Sequence, residues 1–217
     1  MTNNLPPTAY AGTPQLLTLA AGTELHRIGQ YRYGATAFNP GPSHRYYGGG
    51  RFDSTDDDRY GFMYAGLTMD VAVAERLLRD QVPGPSGAIA LPQAALDGLH
   101  AYTVTLALEL QLVDMTGRPG LSSVAQSPWL TTAEPRDYAQ TRHWAHWIRT
   151  QCPVAAGYIW VSRREPAGRV VVLFDDRTPN PASALLTPDP SSFIRLDDES
   201  GRAWLRSVLA RQNATVS

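Results

Sequence analysis

The chain has 217 residues, 43% of them hydrophobic and 18% charged, with a formal net charge of −1. That make-up belongs to a globular protein long enough for a sizeable core, most simply one domain. It excludes the basic footprint of a protein that binds nucleic acid or an acidic membrane surface.

All 19 basic residues are arginine. A Schiff-base lysine and a P-loop lysine are therefore excluded, and two-pronged arginine contact with phosphate or carboxylate is left. The lone cysteine, Cys152, rules out an internal disulfide framework and suits a reducing cytoplasm. The opening MTNNLPPTAY has neither a basic n-region nor an apolar h-region, so no signal peptide is expected. No apolar run reaches the length of a membrane span.

In chain order, residues 1–14 are polar and proline-bearing and read as a flexible tail, with 15–217 as the folded domain. Residues 23–29 (TELHRIG) read as a short strand, 35–60 as loop, and 61–67 (GFMYAGL) as a short buried strand. The spacing predicts a helix over 68–79 (TMDVAVAERLLR), with Thr68 as N-cap and Asp70 favoured by the helix dipole. After a breaker-rich loop come a strand at 101–108, its extension at 110–114, and a long loop over 116–135. A helix is predicted at 136–149, where Tyr138, Thr141, Ala145 and Ile148 share a face. Strands at 156–162 and 169–174 are close enough for a hairpin, and 201–211 is a final amphipathic helix. Strands and helices mix without regular βαβ alternation, which points to α+β.

Glu75 is the most informative residue. It shares one helical sector with Val71, Ala74 and Leu78. A carboxylate on an apolar stripe either snorkels to water at a rim or is paired in a cavity, and periodicity alone leaves both open. Arg51 follows Gly48–Gly50, whose backbone can approach a ligand closely or form a plain flexible loop. Arg27 sits in a strand and Ser162 ends the run YIWVS; an edge arginine and a strand-end serine are the simpler readings of each alone. His143 and His146 stand at i, i+3 with no further ligand cluster, so no metal site is expected. Asp53, Asp56, Asp57 and Asp58 suggest a calcium loop, but the twelfth position is Tyr64 rather than a glutamate, so they read as solvated loop. Cys152 reads as a structural thiol.

Taken in order, these blocks resemble the RES family, named for an Arg, a Glu and a Ser. FNP, then GGRF, a strand tyrosine and a helix with AxxE are similar to the family pattern, as are LVDM and GYIWVSRR followed by VVVLF. The resemblance spans His26 to about Phe174. The acidic segment 54–59, the N-terminal tail and the loop after Met115 depart from the compact pattern.

The resemblance implies a single α+β domain like the ADP-ribosyltransferases: a split, mixed β-sheet core with flanking helices and a cleft for NAD. It implies that Glu75, Arg27 and Ser162 are catalytic, and that Arg27, Arg51, Tyr64 and Ser162 bind NAD. NAD is then a substrate, and no cofactor or metal is expected. The implied function is a cytoplasmic toxin that cleaves the nicotinamide–ribose bond by hydrolysis or phosphorolysis. A cognate antitoxin with a helix-turn-helix region would neutralise it, and a homodimer is left open. Protein mono-ADP-ribosylation and a non-catalytic nucleotide-binding or interaction module are the alternatives.

Overall fold

The computed structural model describes residues 5–179 and 181–217. Eleven strands run in chain order: β1 (Leu16–Leu19), β2 (Glu24–Gln30), β3 (Phe62–Gly66), β4 (Ile89–Leu91), β5 (Leu99–Leu106), β6 (Leu110–Met115), β7 (Gly157–Val161), β8 (Arg169–Phe174), β9 (Leu186–Pro188), β10 (Ile194–Arg195) and β11 (Ala214–Val216). Among the described residues five α-helices flank them: α1 (Met69–Val73), α2 (Arg118–Ser122), α3 (Trp129–Thr132), α4 (Tyr138–Gln151) and α5 (Glu199–Ala210).

Nine strands form one sheet in the order β1-β6-β7-β8-β3-β2-β5-β10, with β9 also on β5, while β11 and β4 pair separately. Within the large sheet β6 and β7 are parallel and every other pairing is antiparallel. The fold is α+β with a mixed sheet, as expected.

The sheet is split where it matters. β2 pairs with β5 along its whole length, and β3 does the same with β8. Between β2 and β3 the register holds a single pair, His26 with Gly66. Beyond that pair the two half-sheets diverge, which leaves side chains of β2 and β3 facing an opening instead of each other.

Both faces of the β8 half are covered, which is why its sequence reads as an unbroken apolar run. Val170, Val172 and Phe174 pack with Tyr158, Trp160 and, from α4, Trp144, Ala145 and Ile148. The alternate residues Val171 and Leu173 join Met63, Ile159, Leu25 and Val104 on the other face. On the β2–β5 half, Ile28, Leu99 and Ala101 pack against Val73 and Leu77 and against Leu205, Val208 and Leu209 of α5.

Thr68 caps α1 as expected, its hydroxyl accepting from the Val71 amide at 3.3 Å, with Asp70 in the first turn. The helix then widens into a π-turn over Ala74–Leu78. Such i→i+5 turns are rare and often mark functional sites. Glu75 lies inside this one.

Two expectations are corrected. The segment 116–135, read as loop, carries α2 and α3, whose Leu121 and Leu130 reach the main core. Asp53, read as part of a solvated loop, is 5% exposed and accepts three hydrogen bonds. Of its neighbours, Asp56 and Asp57 are exposed as expected, while Asp58 pairs with buried Arg149 at 2.9 Å. Residues 1–4 of the stretch read as a tail lie outside the described residues. Further along that stretch Tyr10 packs edge-on against Trp147 at 5.1 Å and bonds the Ser123 carbonyl.

Candidate active site

The split between β2 and β3 opens into two adjoining cavities. The larger, about 430 Å³, is lined by Arg27, Arg32, Tyr33, Phe38, Tyr64 and Tyr102 among others. The smaller, about 110 Å³, is lined by His26, Arg27, Tyr64, Glu75, Arg76, Arg79 and neighbouring apolar residues. Arg27, Ile28, Tyr64 and Arg76 belong to both walls, so they mark the seam. Among the described residues the larger cavity has no carboxylate in its lining. The smaller has one, Glu75.

Glu75 is held from behind. Ser162 Oγ donates to Oε1 at 2.7 Å, and Arg51 Nη1 stands 3.7 Å from Oε2. Ser162 can point this way because its own oxygen accepts from the backbone amides of Arg164 and Glu165, at 3.2 and 3.1 Å. Arg164 then reaches across to the carbonyls of Arg79 and Gln81, at 3.1 and 2.6 Å, where the glutamate helix ends. The β7–β8 turn is thereby fastened to the helix that carries Glu75.

Arg51 is 2% exposed, yet it is a cation. Its Nε donates to the Ala133 carbonyl at 3.2 Å, its guanidinium lies 5.5 Å from the Tyr138 ring, and its own carbonyl accepts from Thr141 at 2.8 Å. Among the described residues its Nη2 has no hydrogen-bond partner. A buried N–H without a partner is costly and asks for an explanation.

The glycines before Arg51 have two separate duties. Gly48 and Gly49 take φ of 65° and 71°, a left-handed backbone that favours glycine. At Gly50 a Cβ would lie 2.6 Å from Asp53 Oδ1 and 3.0 Å from the Tyr64 hydroxyl. That space is taken because Asp53 organises the loop, accepting from Gly50 N at 2.7 Å, Ser43 Oγ at 2.6 Å and Tyr64 OH at 2.9 Å. Arg142 closes the loop from the helix side, donating to the carbonyls of Gly48 and Gly50 at 2.8 and 3.1 Å.

Tyr64 accepts from the Phe52 amide at 2.9 Å while donating to Asp53. Burial first, and the Asp53 charge second, push its pKa well up, so it remains a protonated donor. Arg27 donates Nη1 to the Ala35 carbonyl and Nη2 to the Ala37 carbonyl, the latter at 3.2 Å. Burial pushes its pKa down to about 10, against the pull of Tyr102, so it keeps its charge at neutral pH.

The sequence profile of the RES domain family matches residues 24–195. The chain belongs to the RES family. Its fold is similar to one in the crystal structure of the M. tuberculosis MbcT–MbcA toxin–antitoxin complex. The TM-score is 0.53 at 15% identity, covering 79% of this chain and 84% of that one. No curated protein matches the chain by sequence.

In this RES domain the expected residues gather in two ranks. Arg27, Tyr64 and Glu75 line the cavities, while Arg51 and Ser162 contact Glu75 from the protein side. Asp53 was expected in a solvated loop and Tyr138 on a helix core face, while Arg76 and Arg79 carried no expectation. Arg76 and Arg79 gave no signal because the helix that presents Glu75 also has a polar face, and the two faces meet at a cleft only in three dimensions. Among the described residues no group of three or more His, Cys, Asp and Glu could hold a metal ion. Among them, too, no helix is long and apolar enough to cross a membrane.

Proposed function

We propose that this RES domain is a toxin that consumes NAD, cleaving the bond between nicotinamide and ribose by hydrolysis or phosphorolysis, and that a cognate antitoxin neutralises it. The observation that carries the reading is Glu75, a single carboxylate on the wall of a cleft otherwise rich in arginine and tyrosine, braced by Ser162 and Arg51. Membership of the RES family and the likeness to a toxin–antitoxin complex support it.

The chemistry suits that inventory. Breaking the glycosidic bond builds positive charge on the ribose ring, as in glycoside hydrolysis. A glycosidase needs a second carboxyl group to protonate a poor leaving group. Nicotinamide in NAD is already a pyridinium cation: it takes the bonding electron pair, leaves neutral and needs no acid. One carboxylate aimed at the ribose is enough to hold a hydroxyl and stabilise the growing charge. Ser162 hydrogen-bonds one oxygen of Glu75 and the Arg51 guanidinium faces the other at 3.7 Å, which limits the reorganisation left for the transition state. Tyr64 supplies an aromatic face at the seam for the flat cationic ring. Water as acceptor yields ADP-ribose and a proton; phosphate yields a phosphorylated ADP-ribose.

The test is release of nicotinamide from NAD by the purified protein, followed with and without inorganic phosphate. Release that depends on phosphate identifies phosphorolysis, and release without it identifies hydrolysis. Transfer of label from NAD to a discrete protein band in lysate identifies ADP-ribosylation instead. No release and no transfer removes the enzymatic reading.

A further inference from the structure

Four arginines line the two cavities, and three are already engaged. The terminal nitrogens of Arg27 donate to the carbonyls of Ala35 and Ala37. Arg79 pairs with Asp80 at 3.0 Å and lies 5.4 Å from the Tyr138 ring. Arg32 lies over the Tyr33 ring at 4.9 Å. The fourth, Arg76, has no hydrogen bond, ion pair or ring contact among the described residues. It is next in sequence to Glu75 and belongs to the wall of both cavities.

We propose that Arg76 is the anchor for the phosphates of a nucleotide ligand, set at the seam so that a base lies in the larger cavity and the reacting sugar lies beside Glu75. The proposal rests on the reading of the cleft as an NAD site and names the residue that grips the charge.

The geometry of the seam carries it. A guanidinium with all its donors free is suited to two-pronged contact with phosphate. The larger cavity offers Tyr33, Tyr102 and Phe38 for a flat ring and no carboxylate to repel an anion. Its volume of about 430 Å³ lies within the roughly 300–1,000 Å³ usual for small-molecule sites. In a dinucleotide the phosphates sit between two nucleosides, and the seam sits between two cavities. Arg76 is exposed at the seam, so an anion can reach it, and its crowded surroundings, followed by repulsion from Arg79, push its pKa down against the pull of Asp80.

The experiment measures binding of ADP by calorimetry, at low and at moderate salt, to the wild-type protein and to R76Q, R76K and R206Q. Arg206 is exposed on α5 and lines neither cavity, so R206Q is the control for lost surface charge. The expected result is ADP binding at least about 10-fold weaker in R76Q with a shallower salt dependence, partial recovery in R76K, and no change in R206Q. With NAD as substrate, R76Q should raise KM far more than it lowers kcat. Binding of ADP to R76Q within twofold of wild type overturns the proposal, as does a wild-type protein that binds no ADP. Either result leaves the NAD reading standing if wild type releases nicotinamide. Selective loss of ADP binding in R76Q, in a protein that releases no nicotinamide, upholds the anchor and sinks the NAD reading.

Discussion

Ser162 donates its hydroxyl proton to Glu75 Oε1 across 2.7 Å, from 87 residues further along the chain. The contact joins the end of β7 to the π-turn after α1 and makes the setting of the Glu75 carboxylate a property of two distant segments. A serine with two backbone amides on its oxygen has one direction left in which to donate, and Glu75 occupies it.

Replacing Glu75 by Gln keeps the shape and the acceptor for Ser162 but removes the charge. Nicotinamide release should fall by at least about 100-fold, the scale of losing one preorganised electrostatic contact to a transition state. Circular dichroism and the melting temperature should stay close to wild type. Wild-type turnover in Glu75→Gln removes this residue from the mechanism.

Ser162→Ala leaves the carboxylate in place but free to rotate. It also leaves two amides, those of Arg164 and Glu165, without their acceptor. We expect kcat to drop about 10-fold with a small change in KM, and stability to fall by about 1 kcal/mol. Steady-state kinetics and urea denaturation check the two effects separately. A rise in KM at constant kcat would make Ser162 a substrate ligand rather than a brace.

Asp53→Ala removes the acceptor for Gly50, Ser43 and Tyr64 together. A loss of about 2–4 kcal/mol is expected, since hydrogen bonds to a buried charge are the strong ones. For a domain of this size that lowers the melting temperature by roughly 5–15 °C. Asp57→Ala, which breaks an exposed pair with Arg45, should leave it unchanged. Equal melting temperatures for the two variants would refute the organising role of Asp53.

Acid should weaken the fold through buried His100 and half-buried His146 and His26. His100 on β5 is 4% exposed, stacked on Tyr31 at 5.1 Å and edge-on to Phe193 at 4.1 Å. Neither of its ring nitrogens has a hydrogen-bond partner among the described residues. Burial first, then Arg195, pushes its pKa down, while Asp197 and Asp198 pull it back. His146 and His26 move the same way, each chiefly by burial. The unfolded chain, with histidine pKa about 6.5, therefore binds more protons than the native state just below that pH. The stability these groups contribute is complete above about pH 6.5 and is lost as pH falls through the folded values. His100→Phe keeps a ring and removes the titration. Denaturation midpoints at pH 7 and pH 5 should lie closer together in this variant than in wild type; an unchanged gap would clear His100.

Much of this was legible beforehand because it is local. The alternating and continuous apolar runs marked β2, β3, β5, β6, β7 and β8, and Thr68 marked the start of α1. The short strands β1, β4, β9, β10 and β11 were not, because strands of two to four residues carry no period of their own and exist only where a partner edge receives them. The buried state of Asp53 was hidden for the same reason. Four aspartates in six positions look alike until one of them meets Tyr64.

The amino-acid sequence by itself determined the chemistry on offer: arginine as the only strong cation, one acid on an apolar helical face, and the segments that carry Arg27, Arg51, Tyr64 and Ser162. Only the tertiary structure decided how these are arranged. It divided the sheet at the single pair His26 and Gly66, widened the helix around Glu75, and set Arg51 and Ser162 behind the carboxylate. It also left Arg76 free at the seam. Residue type and spacing act over a few ångströms of neighbouring chain, whereas a cleft is the place where distant segments part, and no local pattern encodes that separation.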